Sequence, residues 1–168
     1  LCAKGASTRG HNAVPDELHS IAASIDSIAE TGQMGLIMFH PRLRPADVLT
    51  GAFHNGRPTA VGVGIISPSA AGAGSDCVIS MDQRKRMRME PFKDELDSGG
   101  VEFEPIRRQL LGALHPHARL MLSNAAKRLA RRRGFFNHAT ILQSLTARIT
   151  TLIVQRSATM LLECLQVH

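Results

Sequence analysis

The side chains most available for chemistry are a run of cations with no acid beside them: Lys127, Arg128, Arg131, Arg132 and Arg133. Residues 105–168 carry 10 Lys and Arg against the single acid Glu163, a net of +9, whereas residues 1–104 carry 10 against 13 acids, a net of −3. Cations left unbalanced over a whole segment suit a polyanion, and nucleic-acid phosphates are the simplest one. A solvated helix face is the alternative for any charge run. A second feature is the poverty of acids in "RPADVLTGAFHNGRPTAVGVGIISP", Arg44 to Pro68, where Asp47 is the one carboxylate. The run from Ala60 is apolar except for Gly62 and Gly64. Glycine adds backbone entropy and packs nothing, so two in a buried strand imply either a missing side chain or a neighbour that comes very close.

Other reactive residues are scattered. His115 and His117 flank Pro116, but two residues apart they do not share a helix face, so the pair offers no zinc site. Cys2, Cys77 and Cys164 are far apart with no CxxC pair, which argues for neither a disulfide framework nor a complete zinc site. The expected compartment is reducing and intracellular. Six Phe with no Trp or Tyr are too few for a base-stacking platform. No apolar run of ~18 residues and no signal peptide is evident, so no membrane partner is expected. The chain begins at Leu1 rather than Met, as a piece of a longer polypeptide would.

These residues need a scaffold, and 168 residues at 43% hydrophobic suffice for one domain with an appendage. Residues 1–13, small and polar, read as a loop. From Pro15, in a first-turn position, Leu18, Ile21, Ala22, Ile25 and Ile28 mark an amphipathic helix. "GLIMF" (35–39) reads as a short buried strand. "ADVLTGAF" and "TAVGVGII" read as a hairpin turning at Asn55-Gly56. Residues 76–98 read as a helix broken at Pro91. "VEFEPI" alternates as a half-buried strand would, its acids Glu102 and Glu104 toward solvent. Two helices follow, 116–133 ending at Gly134 and 139–165. The expected fold is mixed α/β over 14–112, with a basic helical tail over 113–168.

Several of these stretches, in this order, resemble one family. "HNAVPDELHSIA", "RPADVL", "GRPTAVGVGIISP", "RKRMRMEPFKDELDSGGVEFEPI" and the closing "GALHPHARLMLSNAAKRLARRRG" and "ARITTLIVQRSATMLLECL" are similar to the restriction-like endonuclease domain at the C-terminus of non-LTR retrotransposon reverse transcriptases. The resemblance implies a PD-(D/E)xK-type, restriction-endonuclease-like core, in which a mixed sheet holds two carboxylates and a lysine for Mg²⁺-dependent nicking of DNA. Phosphodiester hydrolysis needs Mg²⁺ to generate hydroxide and to stabilise the leaving oxygen, and Mg²⁺ favours carboxylate oxygens. On that resemblance Asp47 is the first metal-binding acid, Lys85 the catalytic lysine, and His11 and Asn12 the remainder of a motif near the nucleic acid.

The same resemblance exposes departures. Gly62 stands where the second acid is expected, Gly10 where an arginine precedes His11 and Asn12, Met89 where a tyrosine is common and Gln109 where a glutamate is. Cys2 is the last trace of an upstream Cys/His knuckle. The implied protein is a degenerate endonuclease domain in which Mg²⁺ binding is weak or lost, cleavage is lost and nucleic-acid binding is kept. Its partners would be DNA or RNA and the rest of a larger reverse transcriptase, in the nucleus. Glu102 or Glu104, on a nearby strand, is a candidate to supply the missing acid, with an edge-strand surface carboxylate as the plainer reading. The alternatives for the whole chain are a non-enzymatic nucleic-acid-binding helical module on an α/β scaffold and a decayed reading frame.

Overall fold

The computed structural model describes residues 4–32, 34–54, 56–66, 77–109, 115–134 and 137–165, with residues 4–12, 65, 66, 77–82, 106–109, 156, 157, 159–161 and 163–165 described in backbone alone. In chain order the elements are α1 (Lys4–Ala23), β1 (Glu30–Thr31), β2 (Val48–Thr50), β3 (Thr59–Ile66), α2 (Cys77–Met89), a 3₁₀ turn (Glu90–Phe92), α3 (Lys93–Ser98), β4 (Glu102–Gln109), α4 (Pro116–Arg133) and α5 (His138–Leu165). The four strands form one mixed sheet in the order β1-β2-β3-β4. β1, β2 and β3 pair antiparallel, and β4 lies parallel to β3, as the crossover through α2 and α3 requires.

Strand periodicity then decides which residues meet. Val48 pairs with Val61 and Val61 with Glu104, so all three lie on one face; Ala60 pairs with Phe103, which puts Phe103 on the other with Gly62. The first face carries the larger core, where Val48, Val61 and Val63 meet Leu18 of α1, Leu122 of α4 and Ile149 of α5. The second carries Ala60, Met89, Leu96 and Val101 under α2 and α3. The two C-terminal helices therefore share a core with the sheet. Arg148 of α5 also reaches Glu17 of α1 at 2.7 Å.

Helix α4 shows how the sequence sets an element. His115 is its N-cap, and its Nδ1 accepts from the His117 N–H at 3.2 Å. Pro116 follows at the first position, where its missing N–H costs nothing. Gly134 ends the helix at φ 70°, with Arg131, Arg132 and Arg133 in the last turn, where the dipole favours cations. On its inner side a polar stripe at i, i+4, i+8 holds the helix in place. Asn124 donates to the Phe53 carbonyl at 3.2 Å, Arg128 to the Gly51 carbonyl, and Arg132 to the Ser24 carbonyl at 3.0 Å.

Three expectations are corrected. α1 begins at Lys4, within the stretch read as a loop, so Pro15 lies inside the helix and not in its first turn. "GLIMF" is a turn and not a strand: Ile37 is buried, Met38 and Phe39 are exposed, and the His40 N–H closes on the Ile37 carbonyl at 3.1 Å. Gly35, at φ 81°, starts the reversal, and Glu95 takes the Phe39 N–H at 3.0 Å. Glu104 is 4% exposed rather than at the surface. β4 is covered on both faces, by the α2 side and by the first turn of α4, so its alternation does not separate inside from outside. The hairpin is as expected, but its turn is longer. β2 stops at Thr50, whose Oγ1 accepts the Ala52 N–H at 3.0 Å and starts the reversal early.

Candidate functional site

Two clusters lie on opposite faces of the sheet. The first gathers around Asp47. Its backbone N–H donates to the Val61 carbonyl at 2.8 Å, and one step beyond the β2–β3 register this sets Asp47 opposite Gly62. The Asp47 Oδ2 accepts the Val63 N–H at 2.7 Å. From α2, the Lys85 ammonium donates to the Val63 carbonyl. Acid and lysine therefore grip the two ends of one residue, with Gly62 between them and the strand's start. All three line a shallow cavity of about 150 Å³ that Arg44, Arg88 and Phe103 also border.

A Cβ on Gly62 would sit 3.3 Å from the Phe103 ring and 3.7 Å from the Lys85 Nζ. The ring would have to give by a few tenths of an ångström, and a carboxylate added there would lie beside the lysine. With one acid and three cations, Arg44, Lys85 and Arg88, the cavity is a poor home for Mg²⁺, which needs several oxygens. It is a good one for an anion such as a phosphate.

The second cluster joins His54 in the turn after β2, Glu104 on β4 and His117 in the first turn of α4, with candidate ligand atoms all within 4.8 Å of one another. Glu104 Oε2 lies 3.1 Å from Arg86 Nη2 and 3.2 Å from His117 Nε2. The two imidazoles stack at 5.8 Å with 22° between their planes. His115 is not part of it, so the neighbouring histidines form no pair; His117 instead meets residues distant in sequence. Nothing in local spacing announces this set, since its members come from three elements 50 and 13 residues apart along the chain.

A third carboxylate, Asp26, is saturated by the protein. Burial pushes its carboxyl up, but hydrogen bonds from Thr50 Oγ1 (2.8 Å), the Gly51 N–H (2.6 Å) and the Ile28 N–H (3.2 Å), with the Arg128 charge nearby, outweigh that and hold it below its ordinary value.

The basic run of α4 divides. Arg128 and Arg132 are committed to main-chain carbonyls, whereas Lys127, Arg131 and Arg133 are exposed. His11 and Asn12 fall in the first half of α1, and their side chains lie outside the described residues, as does Cys2 altogether. Among the described residues no helix is long and apolar enough to cross a membrane. Compared with protein families, curated proteins and solved structures, the chain finds no match.

Proposed function

We propose that this chain is a degenerate, restriction-endonuclease-like domain of a retroelement reverse transcriptase, one that holds nucleic acid and no longer cuts it. The observation that carries this reading is the convergence of Asp47, just before β2, with Gly62 of β3 and Lys85 of α2 on one cavity, the first and last lying 38 positions apart in sequence. A cavity against a mixed sheet with one acid, a lysine and a glycine between them fits a nuclease centre that has lost its second acid. In such a site Asp47 alone holds Mg²⁺ weakly, and the hydroxide-generating step has no second oxygen anchor. Phosphate binding does not depend on that acid. It rests on Arg44, Lys85 and Arg88 in the cavity and on Lys127, Arg131 and Arg133 on α4.

The core shared by the sheet with α4 and α5 argues against a free-standing helical module. Nicking of supercoiled plasmid with Mg²⁺ is expected to be absent for the unaltered chain, to appear in Gly62→Asp, and to vanish again when Asp47→Ala is added. Nicking by the unaltered chain that survives Asp47→Ala would sink the proposal. Duplex binding, followed against salt, is expected to lose about one unit of counterion slope for each of Lys127→Ala and Arg131→Ala that removes a phosphate contact. A slope unchanged in the double variant would remove α4 from the interface.

A further inference from the structure

We propose that His54, Glu104 and His117 form a zinc site with one open coordination position. The site is independent of the Asp47 cavity, on the opposite face of the sheet.

The first argument is an imbalance in the hydrogen bonding. Nε2 of His54 and Nε2 of His117 are both buried, and among the described residues neither has a hydrogen-bond partner. The 3.2 Å approach of His117 Nε2 to Glu104 Oε2 is thus proximity without hydrogen-bond geometry. A buried polar atom left without a partner is costly, and here two of them sit beside one buried carboxylate. A protonated His117 paired with Glu104 would leave His54 Nε2 unpartnered and set a second cation next to Arg86. A bound metal ion takes both nitrogens and the carboxylate at once.

The second argument is the surrounding shell. Glu102 Oε2 stands 3.9 Å from His54 Nδ1, too far for a hydrogen bond as it stands but on the ring nitrogen that a metal at Nε2 would leave free to donate to a carboxylate. Arg86 binds Glu104 Oε2 at 3.1 Å and so holds the carboxylate beside His117. His117 is fixed in turn by the capped first turn of α4. Closing the set to the Zn–N and Zn–O distances of about 2.0–2.2 Å requires the two imidazoles to turn about χ2, a soft torsion in histidine.

The third argument selects the metal. Two imidazoles and one carboxylate suit Zn²⁺ and not Mg²⁺ or Ca²⁺, which demand more oxygens. Three protein ligands leave a fourth tetrahedral position for water or for an oxygen of a bound molecule. With side chains 21% and 32% exposed, His54 and His117 leave an entry path for the ion.

The test strips the full chain with a chelator and titrates Zn²⁺ against a chromophoric competitor. One ion per chain is expected, bound more than about 100-fold more weakly by His54→Ala and by His117→Ala, since even residues behind a ligand are worth 10–100-fold. His40→Ala, at an exposed ring that packs on Phe92, should bind as the parent does. Co²⁺ in place of zinc should give the intense visible bands of a four-coordinate site, with no thiolate charge-transfer band. Circular dichroism checks each variant's fold, and His54→Gln replaces any alanine variant that does not fold. Stoichiometric zinc that is indifferent to His54 and His117, a thiolate band, or no zinc binding at all would each overturn the proposal.

Discussion

The two faces of the sheet each present one principal carboxylate, and their surroundings make opposite sites of them. Asp47 stands half-buried among Arg44, Lys85 and Arg88, with one oxygen taken by a backbone N–H. Glu104 is buried and has two imidazoles and one guanidinium as neighbours. Around Asp47 cations outnumber the acid, so the cavity attracts anions. Around Glu104 two nitrogen lone pairs are on offer, so the cluster attracts a borderline-soft cation. The lesson is that a carboxylate's role is set by what else the fold brings within about 5 Å, because charge interactions fall with distance and rise as water is excluded.

If that contrast is right, removing the two acids has unequal consequences for stability. Glu104→Ala leaves Arg86 and His117 facing an apolar gap and is expected to cost about 3 kcal/mol, the low end for a broken buried pair. Arg86, with a side chain 41% exposed, can recover some hydration. Asp47→Ala leaves only the Val63 N–H without its acceptor and is expected to cost about 1–2 kcal/mol. Urea unfolding of both variants in the presence of a chelator measures the difference. Equal losses would break the contrast, and a loss for Glu104→Ala that grows when zinc is supplied would sharpen it.

Gly62→Ala separates the two explanations for glycine in β3. The added methyl meets the Phe103 ring edge at 3.3 Å, but that ring is half-buried on the cavity wall and has room to tilt. Less backbone freedom in the unfolded chain offsets the crowding by about 0.4–1 kcal/mol. The expected net change is within about 1 kcal/mol of the parent, with the cost relieved further in Phe103→Leu. A loss of several kcal/mol would mean that Phe103 demands glycine, and the missing acid would then need no nuclease ancestor.

Much of the fold was legible because its signals are local. Pro116 and Gly134 mark the two ends of α4, and Pro91 marks the break after α2. Asp47, Gly62 and Lys85 were legible as a group only through a resemblance, since 15 and 23 residues separate them in turn. The long-range features were not. Nothing near Glu104 in sequence shows that α4 covers it, so alternation on β4 read as surface. His54 and His117 carry no mutual spacing and meet only once β2, β4 and α4 are packed.

Asp26 supplies the smallest effect and the control for both faces: a carboxylate whose acceptor capacity the protein itself fills. Its folded-state pKa lies below the ordinary 3.8, so its contribution to stability is full above that value and is lost as pH falls through the lower folded value. Asp26→Asn removes the charge that Thr50, Gly51 and Ile28 donate toward and is expected to cost about 1 kcal/mol at neutral pH. Unfolding of parent and variant, followed from about pH 6 down to about pH 2, should show the parent's advantage constant at first and then shrinking once the carboxylate protonates. With Oδ2 taken twice and Oδ1 once by the protein, Asp26 is expected to stay out of metal binding, so zinc should move neither curve relative to the other. A zinc-dependent change in their separation would place Asp26 in the metal's coordination and undo the distinction between filled and open carboxylates on which the comparison of the two faces depends.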